Sequence, residues 1–188
     1  MYFIIKCDGV KMNMLDLCSG LGGAADGFEK AGFNTVTLDI EGKFNPDIVM
    51  DVTKFIDFAS HYNDFDVIWA SPPCTEFTKS SLPWYNKENI IPDMTIFSSC
   101  IKIIQKIKPT FWILENVQGA RKFFKPFIGT PIKYGSRYLW GNLPICDIDI
   151  SKCYGKYKMS PGPGRSAARS KIPIELSYPL AMAMKREI

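Results

Sequence analysis

Cys74 closes the run Ser71-Pro72-Pro73-Cys74, which directly follows the apolar stretch Phe65-Asp66-Val67-Ile68-Trp69-Ala70. Proline fixes φ and supplies no N–H, so a double-proline turn is stiff and aims whatever side chain comes next. A thiol that must attack one particular atom needs such aim. A free cysteine taken alone is more often a small buried hydrophobe, and that reading stands until other residues weigh against it.

Two further segments do so. Met14-Leu15-Asp16-Leu17-Cys18-Ser19-Gly20-Leu21-Gly22-Gly23 reads as an apolar strand entering a glycine-rich turn and then a helix. Glycines there let backbone N–H groups approach a ligand at a helix N-terminus. A second strand, Thr35-Val36-Thr37-Leu38, ends at Asp39, about 20 residues on, where a ribose-binding acid belongs. The spacing Gly20-x-Gly22-x-x-Ala25 also fits a nicotinamide dinucleotide fingerprint, and a tight turn packed on the sheet is a third reading. The second segment is Phe111-Trp112-Ile113-Leu114-Glu115-Asn116-Val117, a hydrophobic run closing on a carboxylate. That pattern fits a strand buried on both faces with Glu115 at its mouth, although a strand-end acid is commonly just solvated. Parallel α/β sheets bind ligands outside the carboxyl ends of their strands, and Gly20, Asp39, Cys74 and Glu115 all follow or end strands in that sense.

Taken in this order, Asp16–Gly23, Ser71–Cys74 and Glu115-Asn116-Val117 resemble the core motifs of the DNA cytosine-C5 methyltransferases. The resemblance is strong from about Met14 to Val117 and thin afterwards. It implies an S-adenosyl-L-methionine loop at Asp16, Cys18, Ser19, Gly20, Gly22 and Gly23, with Pro72 beside it. It also implies ribose and adenine contacts at Asp39 and Ile40, and a hold on the adenine amino group at Asp51. Cys74 is the implied nucleophile, Glu115 the contact to cytosine N3, and Arg137 the support of the flipped base. Arg169-Ser170-Lys171-Ile172-Pro173-Ile174-Glu175 is similar to a degenerate late structural motif.

The implied chemistry uses each residue type. Cytosine C5 is a poor nucleophile until a thiolate adds to C6, which is the part of Cys74. Charge pushed into the ring needs support at N3, from Glu115, and at O2, from Arg137. The sequence also departs from the family. Cys18 stands where phenylalanine is usual, which leaves adenine packing to Ile40 and Phe44. No counterpart of a terminal asparagine-rich cofactor motif is legible. The stretch between Arg137 and Arg169 is too short for an independently folded reader domain. Target choice is then expected to be loose, to rest on a partner protein, or to concern a free nucleotide or single-stranded substrate. A non-catalytic cofactor- or DNA-binding subunit is the competing expectation.

The elements that must position these residues alternate. Strands are expected near 12–17, 34–39, 47–50, 65–70 and 111–116, and helices near 23–31, 53–60, 93–107 and 118–124, with a last helix from Pro173 to Lys185. Such alternation predicts an α/β fold: a doubly wound, mostly parallel sheet in one domain over 1–188. Residues 10–118 form its cofactor-binding and catalytic core, and 119–188 a basic part facing nucleic acid. The charge count supports that division: ten Lys/Arg against fifteen Asp/Glu in residues 1–118, but thirteen against four in 119–188. Phe124, Tyr134, Tyr138, Trp140, Tyr154 and Tyr157 interleave with the late cations, where they could stack on unpaired bases or simply pack beneath a solvated face.

Composition bounds the alternatives. Of 188 residues 46% are hydrophobic, enough for a sizeable core. No apolar run approaches a membrane span, and Lys6 and Asp8 spoil the start as a signal peptide, so a cytoplasmic protein is expected. The six cysteines lack C-x-x-C spacing, and His61 is the only histidine, so neither zinc nor a histidine triad is expected. Two loops remain: Ser80–Tyr85 follows the nucleophile and reads as closure over an extruded base or as an ordinary long connection, and Ser160–Ser166, within the basic part, reads as a phosphate contact or as plain disorder.

Overall fold

The computed structural model describes residues 11–59, 64–78, 91–149, 151, 168 and 170–187. Five strands of the expected order appear: β1 (Asn13–Leu17), β2 (Asn34–Asp39), β3 (Ile48–Val49), β4 (Val67–Ala70) and β5 (Phe111–Asn116). Two later strands, β6 (Ile132–Tyr134) and β7 (Arg137–Gly141), complete a seven-stranded sheet in the order β3-β2-β1-β4-β5-β7-β6. All neighbours from β3 to β5 run parallel, while β7 is antiparallel to both β5 and β6. The chain first builds outward from β1 through β2 to β3, then returns to the other side of β1 with β4. The order therefore reverses between β1 and β4, where an α/β sheet opens a crevice at its carboxyl ends.

Side-chain pattern explains the layering. Leu15 and Leu17 on β1 pack with Ile68 and Ala70 of β4 beneath α4 (Thr95–Ile107) and the short α2 (Val52–Phe55). Phe97, Cys100, Ile103, Ile104 and Ile107 form the buried stripe of α4, the spacing of an amphipathic helix. That helix stops where Lys108 takes a left-handed φ of 54°, immediately before Pro109. On the opposite face, Met14, Val67, Trp69 and Ile113 pack beneath α1 (Gly23–Lys30) and the terminal helix α6 (Ile174–Glu187). Alternate residues of the central strands thus serve different helical layers, as burial on both faces requires.

Of the helix expected over 53–60, the described residues form the single α-helical turn Val52–Phe55, and the one expected over 118–124 is a 3₁₀ turn, Gln118–Ala120, running into α5 (Arg121–Ile128). The late aromatics also differ from the base-stacking expectation. Phe124, Tyr134, Tyr138 and Trp140 are buried, and Phe124 stacks on Phe97 at 4.1 Å between ring centroids. They close the sheet edge where β7 joins β5, so they are packing residues. Tyr154, Tyr157, His61 and the loops 80–85 and 160–166 lie outside the described residues.

Helix α6 lies directly on α1. The Ser177 hydroxyl donates to the Gly23 carbonyl at 3.1 Å, and Lys185 Nζ donates to the Ala31 carbonyl at 3.0 Å. A Cβ on Gly27 would overlap the Ser177 hydroxyl and lie 2.6 Å from the Tyr178 backbone nitrogen. Gly27→Ala should therefore destabilise the protein by about 2 kcal/mol, overpacking outweighing the ~1 kcal/mol helix-propensity gain of alanine. Urea denaturation checks this; an unchanged or raised midpoint would mean that α6 yields freely.

Candidate active site

The glycine turn after β1 is built by positive φ at alternate positions: Cys18 at 58°, Gly20 at 52° and Gly22 at 67°. Glycine adopts this region freely, whereas Cys18 does so against the preference of an L side chain. Asp39, at the end of β2, fixes the turn. One carboxylate oxygen accepts from the Gly20 N–H at 2.8 Å and the other from the Glu41 N–H at 2.8 Å. Among the described residues nothing lies within 4 Å of where a Cβ would stand on Gly20 or Gly22, which leaves space over the turn. Ile40 beside it is 65% exposed, an apolar surface at the mouth of the crevice.

Gly23 has a different reason. A Cβ there would overlap the Ile172 carbonyl, because the segment entering α6 crosses the start of α1 at that point. Lys171 pairs with Asp26 at 2.7 Å across the same junction. Sequence reasoning found no late segment at the cofactor turn, yet Lys171-Ile172-Pro173 is laid against it. The apolar face of α1 was the available signal, since two glycines four residues apart leave room for a close neighbour.

Asp16 lies beneath the turn at 1% exposure. Its Oδ2 accepts from the Ala25 N–H at 3.4 Å, while among the described residues Oδ1 has no hydrogen-bond partner. Burial pushes the carboxyl up to about 8, helped by the nearby Asp39 and Asp26 charges and opposed by the Ala25 N–H. The folded protein then holds a proton that the unfolded chain, with an ordinary value of 3.8, releases. Stability carried by this group is full below pH 4 and is lost progressively as pH rises toward 8. Asp16→Asn should flatten that decline, measured as urea midpoints of cofactor-free protein at pH 5 and pH 8; an unaltered pH dependence would refute the assignment.

The proline turn sits across the crevice. The register pairs Leu17 with Ala70, and the Ser71 N–H continues it by donating to the Leu17 carbonyl at 3.0 Å. The Asn116 side-chain amide donates to the Pro72 carbonyl at 2.8 Å, and its oxygen accepts from the Val117 N–H at 2.9 Å. Asn116 is 1% exposed, so this bond locks the turn to the end of β5. Cys74 follows two residues later, and its carbonyl accepts from the Phe77 and Thr78 N–H groups, opening α3 (Thr75–Thr78). The positioning role of Asn116 escaped sequence reasoning: an asparagine after a glutamate carries no sign of which backbone it will reach.

Glu115 is 6% exposed, and Arg137 Nη1 donates to its Oε1 at 3.0 Å. Burial raises the carboxyl above its ordinary value, against the lowering effects of the Arg137 charge and hydrogen bond and of the Ser71 hydroxyl. The other Arg137 terminus, Nη2, donates to the Lys171 carbonyl at 2.6 Å. One guanidinium thus bridges the β5 carboxylate and the segment packed on the glycine turn. Asp51, expected at the adenine, caps α2: its Oδ1 accepts from the Thr53 N–H at 2.9 Å and hydroxyl at 2.8 Å, which lower its carboxyl. Its other oxygen is not engaged by either of these bonds. Among the described residues no group of three or more His, Cys, Asp or Glu could hold a metal ion, and no helix is long and apolar enough to cross a membrane.

The family model for C-5 cytosine-specific DNA methylases matches residues 12–126. The chain is 31% identical over 122 residues to the type II methyltransferase M.DdeI of Desulfomicrobium norvegicum, covering 57% of this chain and 28% of that one. It is 29% identical over 123 residues to a frog virus 3 protein described as a DNA (cytosine-5)-methyltransferase, covering 58% and 56% respectively. The chain thus spans from about a quarter to just over half the length of these relatives. A solved structure described as an E. coli prophage DNA modification methyltransferase shares the fold, with a TM-score of 0.50 at 23% identity over 73% of this chain and 49% of that one.

Proposed function

This chain belongs to the C-5 cytosine-specific DNA methylase family, and on that premise we propose that it transfers a methyl group from S-adenosyl-L-methionine to C5 of cytosine in DNA through a covalent adduct with Cys74. The observation that best supports this reading is the sheet reversal between β1 and β4, which sets the open glycine turn beside the double-proline cysteine turn. The residues present fit the methyl donor: space above Gly20 and Gly22, a buried oxygen on Asp16 unpartnered among the described residues, and exposed apolar surface at Ile40. Gly20, Gly22 and Ser19 would line its hold, with Asp39 keeping the turn in shape, Asp51 and Ile40 at its nucleoside end and Pro72 at the methyl side. When bound, the donor supplies an electrophilic methyl group.

The chain's own residues do the rest. The Cys74 thiolate adds to cytosine C6, forming an S–C bond and placing the electron pair of the C5–C6 double bond on the ring. Glu115, kept protonatable by burial, gives a proton or hydrogen bond to N3 as that charge develops. Arg137 holds Glu115 and would support the charge that develops at the cytosine O2. After methylation, loss of the C5 proton to a base and departure of the thiolate restore the aromatic ring. Such chemistry needs the base outside the duplex stack.

Incubation with isotopically labelled methyl donor and DNA containing 5-fluorocytosine tests the proposal. Fluorine at C5 blocks the final elimination, so a covalent protein–DNA species attached at Cys74 is expected. Label transfer to DNA with no adduct at Cys74 would overturn the mechanism, and binding of NAD in place of S-adenosylhomocysteine would overturn the function.

A further inference from the structure

The 3₁₀ turn Gln118–Ala120 begins two residues beyond Asn116, at the carboxyl end of β5, and runs into helix α5. Helix α5 buries Phe124 and turns Arg121, Lys122 and Lys125 outward. These three cations, with Gln118, Gly119, Thr130 and Pro131, line an open groove of about 490 Å³, and among the described residues no carboxylate takes part in it. The Arg121 guanidinium lies 5.3 Å from the ring centroid of the buried Tyr138, which restrains it before any ligand arrives. Tyr138 pairs in register with Asn116, the residue that locks the cysteine turn. Lys133, exposed on β6, pairs with Tyr138 and so adds its charge to the same face of the sheet edge.

The groove also touches the helix that follows the cysteine turn. A Cβ on Gly119 would overlap the Phe77 carbonyl, so the groove's floor lies against α3, which starts one residue after Cys74. A linear array of cations with hydrogen-bonding side chains among them matches the repeated negative charge of a sugar–phosphate backbone rather than a single compact anion.

We propose that this α5 groove is a docking site for the DNA backbone, with Arg121 and Lys125 each neutralising a phosphate of the strand presented to Cys74. The inference rests on the methyltransferase reading for the identity of the polyanion, but its site is separate from the reacting groups. Contacts of this kind fix the strand's position without reading its sequence, which suits a chain whose described residues hold no reader domain after β7.

The salt dependence of binding tests it. Full-length protein saturated with S-adenosylhomocysteine is titrated into a short fluorescein-labelled mixed-sequence duplex at several salt concentrations between about 50 and 200 mM. Arg121→Gln and Lys125→Gln should each make the slope of log K against log salt shallower by about 0.9, and the double variant by about 1.8. Lys102→Gln, on the exposed side of α4, should leave it unchanged. S-adenosylhomocysteine affinity should match wild type throughout, showing that the variants fold. Slopes unaltered in the double variant, or equally altered by Lys102→Gln, would overturn the groove. Methyl transfer retained with unaltered slopes would sink the groove alone; altered slopes with no transfer by the wild type would sink the methyltransferase reading and leave the groove standing.

Discussion

Replacing Cys74 by serine is expected to lower methyl transfer to DNA by roughly 10⁴-fold or more while leaving S-adenosylhomocysteine affinity within about twofold of wild type. Serine is nearly isosteric, and the backbone bonds that open α3 come from the residue 74 carbonyl, so the turn keeps its shape. The glycine turn takes its shape from Asp39 of β2, which accepts from the Gly20 N–H, and from Asp16 of β1, which accepts from the Ala25 N–H. What changes is the nucleophile: a hydroxyl is far harder to ionise than a thiol and adds poorly to an unactivated ring. The 5-fluorocytosine adduct should vanish together with turnover. Serine enzyme that still transfers methyl groups at a comparable rate would mean that no sulfur–carbon bond forms on the path. Loss of cofactor binding alongside turnover would instead make Cys74 part of the donor's hold.

How much of this was legible in the sequence differs by segment, for physical reasons. Strands β1, β4 and β5 read correctly because burial on both faces leaves near-continuous apolar runs that end on polar residues. Strands β6 and β7 were not visible. Ile132–Tyr134 has only three residues, and Arg137–Gly141 mixes an ionised residue with aromatics that suggested a nucleic-acid surface. Their pairing with β5 is a long-range event, and it is burial in that pairing which turns Tyr138 and Trp140 from exposed stackers into core. At the site, Gly20, Asp39, Cys74 and Glu115 could be named because each follows or ends a recognisable strand. Asn116 and the Lys171–Pro173 segment were legible only as members of motifs, without their positioning roles, since those come from bonds to backbone far away in sequence. Gly23 was named for a cofactor and is required by helix packing, a reminder that a glycine reports close approach without saying to what.

Arg137→Met is expected to reduce transfer by roughly 10²- to 10³-fold and, more tellingly, to move the alkaline fall in activity to higher pH. Glu115 feels two opposed influences. Burial favours its neutral form, while the Arg137 charge and hydrogen bond, with the Ser71 hydroxyl, favour the ionised one. If Glu115 supplies a proton to cytosine N3, activity falls as pH rises through its pKa. Removing the guanidinium leaves burial less opposed, so that pKa rises and the fall is delayed, even though the plateau is lower. A role in packing alone would lower the plateau without moving the limb. Glu115→Gln separates the two cases, because an amide keeps the shape and a hydrogen bond but has no proton to give: the limb should disappear. In the double variant the losses should be less than additive, since Arg137 then has no carboxylate left to tune. The guanidinium also carries the Lys171 carbonyl, and through it the segment that crosses the start of α1 at Gly23. Arg137→Met is therefore expected to weaken S-adenosylhomocysteine binding as well, whereas Glu115→Gln should not. A pH limb that stays fixed in Arg137→Met, together with unchanged cofactor affinity, would reduce this ion pair to a structural bond between β5 and β7.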